Sequence, residues 1–283
     1  VSELRTQFDG PVPVTASARD RVTGMDIRID RVGHGVPVVI LNGLLGTNEH
    51  WFGCLGPLAS RSEVLLMQPP LLEMRGKGCS VDGVLQLVVS VLETLIDQPA
   101  VFVGNSLGGH IGLRMALEHP ALVRGLVLIG SSGLFERTFD SDWEHNPSRE
   151  WLQRKIAGLF HDPSRMMPGM VEQAYEELSR RTAARALVRL GKSAKRDHLG
   201  EKLHEIRCPT LLMWGKQDIV TPPEVAEEFL RLIPGARLEW IDKCGHAPQI
   251  ERSQEVGDGI ARFLDGLANG SLERRGAGVQ GVA

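Results

Sequence analysis

The chain has no marked charge excess, no long apolar run and no patterned cysteines. Its 32 Lys and Arg stand against 35 Asp and Glu, a formal net charge of −3 at pH 7, so the balance gives no electrostatic case for nucleic acid as a partner. No apolar stretch reaches the roughly 20 residues that a membrane-spanning helix needs. Val1-Ser2-Glu3-Leu4-Arg5 lacks the basic-then-apolar order of a secretory leader. Cys54, Cys79, Cys208 and Cys244 show neither a C-x-x-C pair nor metal-ligand spacing. They are expected to stay reduced in a cytoplasmic protein, as small buried or half-buried residues. There is no internal repeat. What is present, 42% apolar and 24% charged residues over a length of 283, is ordinary for a globular protein with one well-buried core.

The informative stretch is Gly104-Asn105-Ser106-Leu107-Gly108-Gly109. Before it, Pro99-Ala100-Val101-Phe102-Val103 reads as a short buried strand, and after it Ile111 to His119 carries apolar residues at helical spacing. A serine between glycines at a strand-to-helix junction is a nucleophile elbow, a turn so sharp that only small flanking side chains fit. It would present the hydroxyl above the sheet, with the N-terminal N–H groups of the next helix pointing to the same place.

A serine needs a base, and in this motif an acid and then a histidine follow the serine along the chain. Cys208 to Gly215 reads as a buried strand that runs into Lys216-Gln217-Asp218. Thr221-Pro222-Pro223-Glu224 then opens a helix, with proline in the first turn and a threonine–glutamate capping box expected. Asp218 therefore falls at the C-terminal end of a strand, where open parallel sheets place their sites. Ala236 to Ile241 is the last strand, and His246 lies in the loop after it. Taken singly, Asp218 is a turn former and His246 a surface residue. Jointly, at three strand ends and in the required order, Ser106, Asp218 and His246 form a candidate triad. Asp242 is a rival acid but lies four residues before His246, and is read as a turn residue.

These residues resemble the α/β-hydrolase fold superfamily, in its cap-bearing serine-nucleophile branch. The resemblance covers roughly residues 20 to 265 and rests on Leu41-Asn42-Gly43-Leu44, Arg75-Gly76-Lys77-Gly78-Cys79-Ser80, the elbow, Gly215-Lys216-Gln217-Asp218 and Gly245-His246. The elbow is similar to that of meta-cleavage-product (carbon–carbon bond) hydrolases. Epoxide hydrolases and haloalkane dehalogenases share the fold but carry aspartate where this chain has Ser106. The resemblance implies a mostly parallel, eight-stranded α/β sheet flanked by helices, with a helical cap inserted after the sixth strand. It also implies an oxyanion hole made by the backbone N–H groups of Leu44 and Leu107. Two features depart from the pattern. Asn42-Gly43 stands where His-Gly is usual, and Leu44-Leu45-Gly46 and Ala247 replace residues usual in the carbon–carbon hydrolases.

Along the chain, strand and helix alternate. Val22 to Val32 suits an antiparallel hairpin at a sheet edge, Pro37 to Leu41 and Ser62 to Met67 are strands, and Val81 to Ile96 is an amphipathic helix. Between Ser131 and about Lys202 the alternation stops, and two short helices are marked by Trp151 to Phe160 and Val171 to Leu178. The expected organisation is a first core part over 1–132, a cap over 133–202, a second core part over 203–265 and a disordered tail over 266–283. Asn42, Gly43, Asn105, Ser131, Ser132 and Arg181 are expected to border the pocket. Arg181, Arg185, Arg189, Lys192 and Arg196 would form one basic stripe on a helix. The stripe is read as a solvated face, the alternative being that its pocket end attracts a carboxylate-bearing substrate.

The expected chemistry is two-step acyl transfer on a small carbonyl substrate, a carboxylic ester first of all, with no metal or organic cofactor. Three alternatives stay open: a carbon–carbon hydrolase of meta-cleavage type, an acyltransferase or cofactor-free perhydrolase on the same triad, and a binding protein without activity. Partners are expected to be limited to the substrate, with no nucleic acid or membrane, and self-association is left open.

Overall fold

The computed structural model describes residues 11–136 and 147–272. Eight strands form one sheet: β1 (Val14–Arg19), β2 (Asp26–Gly33), β3 (Val36–Leu41), β4 (Ser62–Gln68), β5 (Ala100–Asn105), β6 (Val123–Ile129), β7 (Thr210–Gly215) and β8 (Arg237–Ile241). Their order is β1-β2-β4-β3-β5-β6-β7-β8. The β1/β2 and β2/β4 pairs are antiparallel, and every other neighbouring pair is parallel. Parallel strands require crossovers that put helices on both faces, and β5 and β7 accordingly are buried along their whole length. The expected α/β architecture is the one observed.

Helices fill the crossovers: α1 (Leu55–Ala59), α2 (Val81–Leu95), α3 (Leu107–Glu118), α4 (Arg149–Ala157), α5 (Met170–Ser179), α6 (Arg181–Arg196), α7 (Pro223–Leu232), α8 (Pro248–Glu251) and α9 (Ser253–Ala268). A 3₁₀ segment, Asn48–Cys54, precedes α1. In α2, Ser80 Oγ accepts from the Gly83 N–H and caps the helix, while Val81, Val84, Leu85, Val88, Val91 and Leu92 lie on the buried stripe. One apolar cluster, with Val39, Phe102, Leu126 and Val88, fills one side of the sheet. A second, with Val38, Val103, Val127 and Phe263, fills the other.

Helices α4 to α6 lie between β6 and β7, and no strand interrupts them among the described residues. They share a third apolar cluster built from Trp151, Leu152, Ile156, Phe160, Ala174, Leu178, Ala184 and Leu187, joined by Ala247 from the loop of His246. The helical insertion thus packs directly on the loop that carries the histidine.

Three expectations need correction. The edge hairpin is made by β1 and β2 rather than within residues 22–32, because Asp20 to Met25 forms the turn, with an Asp20 N–H···Met25 O bond of 2.8 Å. The tail does not begin at 266: α9 runs to Ala268, and Leu267 and Leu272 pack against the second cluster. Residues 273–283 lie outside the described residues, as does the N-terminal pentapeptide. Finally, Thr221 does not cap α7. Pro222 is the N-cap, without a side-chain bond, and the Thr221 hydroxyl is used elsewhere.

Candidate active site

Ser106 joins β5 to α3 with φ 53° and ψ −117°, a backbone state that L-residues with a side chain rarely adopt and that costs on the order of 1–3 kcal/mol. The flanking glycines make it possible. A Cβ on Gly104 would fall 2.3 Å from the Gly108 carbonyl, and one on Gly108 would fall 2.1 Å from the Leu41 carbonyl oxygen. Both neighbours are backbone and cannot give way. The turn is pinned by Ser106 N–H donating to Ile129 O at 3.1 Å and by Ser132 N–H donating to Ser106 O at 3.2 Å.

Asp218 and His246 meet from the ends of β7 and β8. His246 Nδ1 lies 2.8 Å from Asp218 Oδ2. The carboxylate also accepts the N–H groups of Val220 (2.8 Å) and Thr221 (3.0 Å) on Oδ1 and the Thr221 hydroxyl (2.9 Å) on Oδ2. A carboxylate acceptor makes Nδ1 the protonated nitrogen, which leaves Nε2 with a free lone pair in the neutral ring. Burial disfavours the imidazolium, but the charge and hydrogen bond of Asp218, with Glu136 further off, outweigh it, and the His246 pKa is raised above 6.5. Asp242, the rival acid, is exposed and lies 3.6 Å from Lys216 Nζ.

The surrounding loops are tied to this pair. Asn105 Nδ2 donates to Ile129 O (3.0 Å) and His246 O (3.1 Å), so the elbow holds the histidine loop. Glu251, buried at 3% exposure, accepts from the N–H groups of Gly245 (2.8 Å), His161 (3.1 Å) and Asp162 (2.7 Å). His246 N–H donates to Leu159 O at 2.7 Å. The helical insertion and the histidine loop are therefore one hydrogen-bonded unit.

Ser106 and His246 open into one cavity of about 1400 Å³, walled by apolar residues of the insertion such as Trp151, Ile156 and Leu187. Asn42, Gly43, Leu44, Asn105 and Arg181 are among the residues that line it. A Cβ on Gly43 would fall 3.1 Å from Ser106 Cβ, which measures how closely that loop approaches the serine. The Leu107 side chain is buried in the core, with its backbone N–H at the first turn of α3. The Asn42 amide is committed within the protein: Nδ2 donates to Asn48 Oδ1 and Oδ1 accepts from Trp51 Nε1, both at 2.9 Å. Asn48 in turn donates to Asp30, which pairs with Arg28.

Ser131 and Ser132 do not line the cavity. Both are buried behind the elbow, where Ser131 Oγ donates to Ser132 O and its side chain fills the space beside Gly109. The main-chain bond from Ser132 to Ser106 turns them there. Arg181, Arg185, Arg189, Lys192 and Arg196 are exposed on α6 yet border the cavity, and none of the five makes an ion pair among the described residues.

Sequence reasoning missed Thr221, Glu251, Gln249 and His50, all of which touch the site through hydrogen bonds or line it. Among the described residues no group of three or more His, Cys, Asp or Glu side chains gathers as a metal would require, and no helix is long and apolar enough to cross a membrane. No disulfide links the four cysteines, and all four are buried.

The sheet order, the strained serine turn and the carboxylate–imidazole pair at neighbouring strand ends define a hydrolase of the α/β class. The sequence profile of the Alpha/beta hydrolase family matches residues 38–258, and the chain belongs to that family. It is 28% identical over 245 residues to pimeloyl-[acyl-carrier protein] methyl ester esterase of Nitrosomonas europaea, covering 78% of this chain and 93% of the relative. It is 26% identical over 247 residues to 2-hydroxymuconate semialdehyde hydrolase of Pseudomonas putida, covering 82% and 88%. Among solved structures, a serine hydrolase involved in carbazole degradation superposes with a TM-score of 0.77 at 25% identity, covering 89% of this chain and 99% of that one.

Proposed function

We propose that this hydrolase cleaves small carboxylic esters through a covalent acyl-enzyme on Ser106. The reading is carried by one observation: the His246–Asp218 bond of 2.8 Å, with His246 and Ser106 opening into the same cavity. His246 Nε2 takes the Ser106 proton as Oγ attacks the ester carbonyl, and Asp218 stabilises the imidazolium that forms. The negative oxygen is held by the N–H groups of Leu44 and Leu107, an effect worth about 3 kcal/mol per donor in comparable sites. The imidazolium returns its proton to the leaving alkoxide. Water, deprotonated by the same nitrogen, then attacks the acyl-enzyme and releases the acid. Thr221 and Asn105 keep the acid and the histidine loop in register.

The alternative is carbon–carbon hydrolysis of a ring-fission product. It is supported by the similarity to 2-hydroxymuconate semialdehyde hydrolase and by Arg181 in the cavity lining, where a carboxylate could pair. A panel of p-nitrophenyl esters of graded acyl length, run beside a meta-cleavage dienoate, separates the two. Ester turnover that is lost in Ser106→Ala supports the proposal; turnover of the dienoate alone transfers it to the alternative.

A further inference from the structure

A second cleft, of about 520 Å³, lies between the C-terminal half of α6 and the turn that leads into α2. Arg189, Lys192 and Arg196 stand on its helix side, and Lys77 stands on the turn. All four are exposed, and none makes an ion pair among the described residues. The two walls are fastened to each other. Val81 N–H donates to Ser193 Oγ at 3.0 Å, and the Cys79 thiol donates to Ala186 O at 3.6 Å. The fold therefore fixes the width of the recess before anything enters it.

Two carboxylates also line the cleft, but both are turned to Arg114. Asp82 Oδ1 lies 2.7 Å from its Nη2, and Asp197 Oδ2 pairs with its Nη1 while meeting His110 Nε2 at 3.0 Å. Glu118 holds the same guanidinium from outside the cleft. Four cations against two carboxylates leave the lining with a formal charge of +2, on a chain whose net charge is −3. A favourable interaction with the α6 dipole explains Arg196, which lies in the last turn. It does not explain Arg189 and Lys192 further back, or Lys77 on the facing turn.

The spacing indicates the ligand. Arg189 to Arg196 covers roughly 10 Å of helix at 1.5 Å per residue. To share one small anion the four side chains would have to converge against their own repulsion, whereas linked anionic groups can meet them separately. A phosphoryl group offers three acceptor oxygens, and a guanidinium pairs with it through two parallel hydrogen bonds. The volume falls within the roughly 300–1,000 Å³ of small-molecule sites, which favours a compact ligand over an acidic protein face. We infer that this cleft binds a small ligand carrying two or more linked phosphoryl groups. The site adjoins the Ser106 cavity, because Arg189, Lys192 and Arg196 wall both. Binding there requires no step of the ester chemistry, so it stands or falls apart from the hydrolase reading.

Inorganic tripolyphosphate, titrated calorimetrically into the full chain at roughly 0.15 M salt, is the test, with orthophosphate and the acidic peptide hexaglutamate titrated beside it. Tripolyphosphate is expected to bind at a single site, about tenfold or more tightly than either. The double variant Lys77→Gln with Arg189→Gln removes one cation from each wall and should weaken that binding by about tenfold or more. Arg180→Gln with Arg237→Gln removes the same charge outside the cleft and should change Kd by less than about twofold, since screening acts over about 8 Å. All four replaced residues are exposed, so both double variants should melt within about 2 °C of wild type. Absence of saturable binding overturns the site, and so does orthophosphate binding as tightly as tripolyphosphate. Equal losses in the two double variants would reduce the cleft to a diffuse positive field. Tighter binding of hexaglutamate would make the surface one for acidic proteins instead.

Discussion

Glu251→Ala should be among the most damaging changes outside the triad, and for a reason that can be counted. The carboxylate is 3% exposed and takes three main-chain N–H groups, two of them in the helical insertion and one immediately before His246. Hydrogen bonds to a charged acceptor contribute roughly 1.5–3 kcal/mol each, and leaving buried donors unpaired costs a similar amount. Water can reach some of the vacated space, so the three bonds together come to about 3–5 kcal/mol rather than their full sum. For a chain of this size each kcal/mol lowers the melting temperature by about 2–4 °C, which predicts a fall of roughly 10 °C by scanning calorimetry. The loss should also reach the chemistry. The same contacts hold Gly245 and the 159–162 segment, and His246 N–H bonds Leu159 O at 2.7 Å, so a loosened clamp displaces the imidazole. A misplacement of about 1 Å costs up to roughly a hundredfold in kcat, with KM for small esters less affected. A melting temperature within about 2 °C of wild type together with an unchanged kcat would refute the clamp.

Other consequences are sharper still. Asp218→Asn removes the acceptor that sets the His246 tautomer and should lower kcat by about 10⁴, whereas Asp242→Asn, on the surface beside Lys216, should change it less than about twofold. Equal losses would move the acid to Asp242. Because His246 must be neutral to act as a base and its pKa is raised, kcat/KM should climb with pH through a single ionisation above 6.5. A limb at or below that value would contradict the assigned pairing. Arg181→Ala should raise KM for carboxylate-bearing esters by about threefold at low salt, fade at high salt, and leave neutral esters untouched, because the guanidinium borders the cavity but is exposed and screened over about 8 Å at physiological salt.

How much of this was legible in the sequence depended on burial. Strands β3, β5 and β7 are covered on both faces and therefore read as nearly unbroken apolar runs; the elbow followed from β5 and the place of Asp218 from β7, while that of His246 followed from the less buried β8. Strand β1, Val14–Arg19, is exposed along nearly its whole length and pairs on one side alone, so nothing in its composition distinguishes it from a loop. The same holds for 266–272, where Leu267 and Leu272 pack on the core although the glycine-rich stretch as a whole is poor in apolar residues.

The partners of the triad were invisible for a different reason. Thr221 is three residues from Asp218, and its hydroxyl was free to cap α7 until the fold brought the carboxylate within 2.9 Å. Asn105 and Gln249 are 144 residues apart in the chain, and Glu251 reaches back 90 residues to His161. No local pattern announces such bonds. Ser131 and Ser132 show the converse. The end of β6 is next to the elbow, as expected, but the Ser132 N–H is committed to Ser106 O, so the side chains turn behind the elbow instead of into the cavity.

The central claim, that Ser106 is the nucleophile, is tested most directly by intact-mass spectrometry after treatment with a fluorophosphonate, followed by peptide mapping. Wild type should gain a single phosphonyl adduct located on Ser106. Ser106→Ala should gain none, should melt at the wild-type temperature or slightly above it as backbone and packing are unchanged, and should lose about 10⁴ to 10⁶ in ester turnover. An adduct on another residue, or a Ser106→Ala protein that keeps near wild-type turnover, would contradict the account.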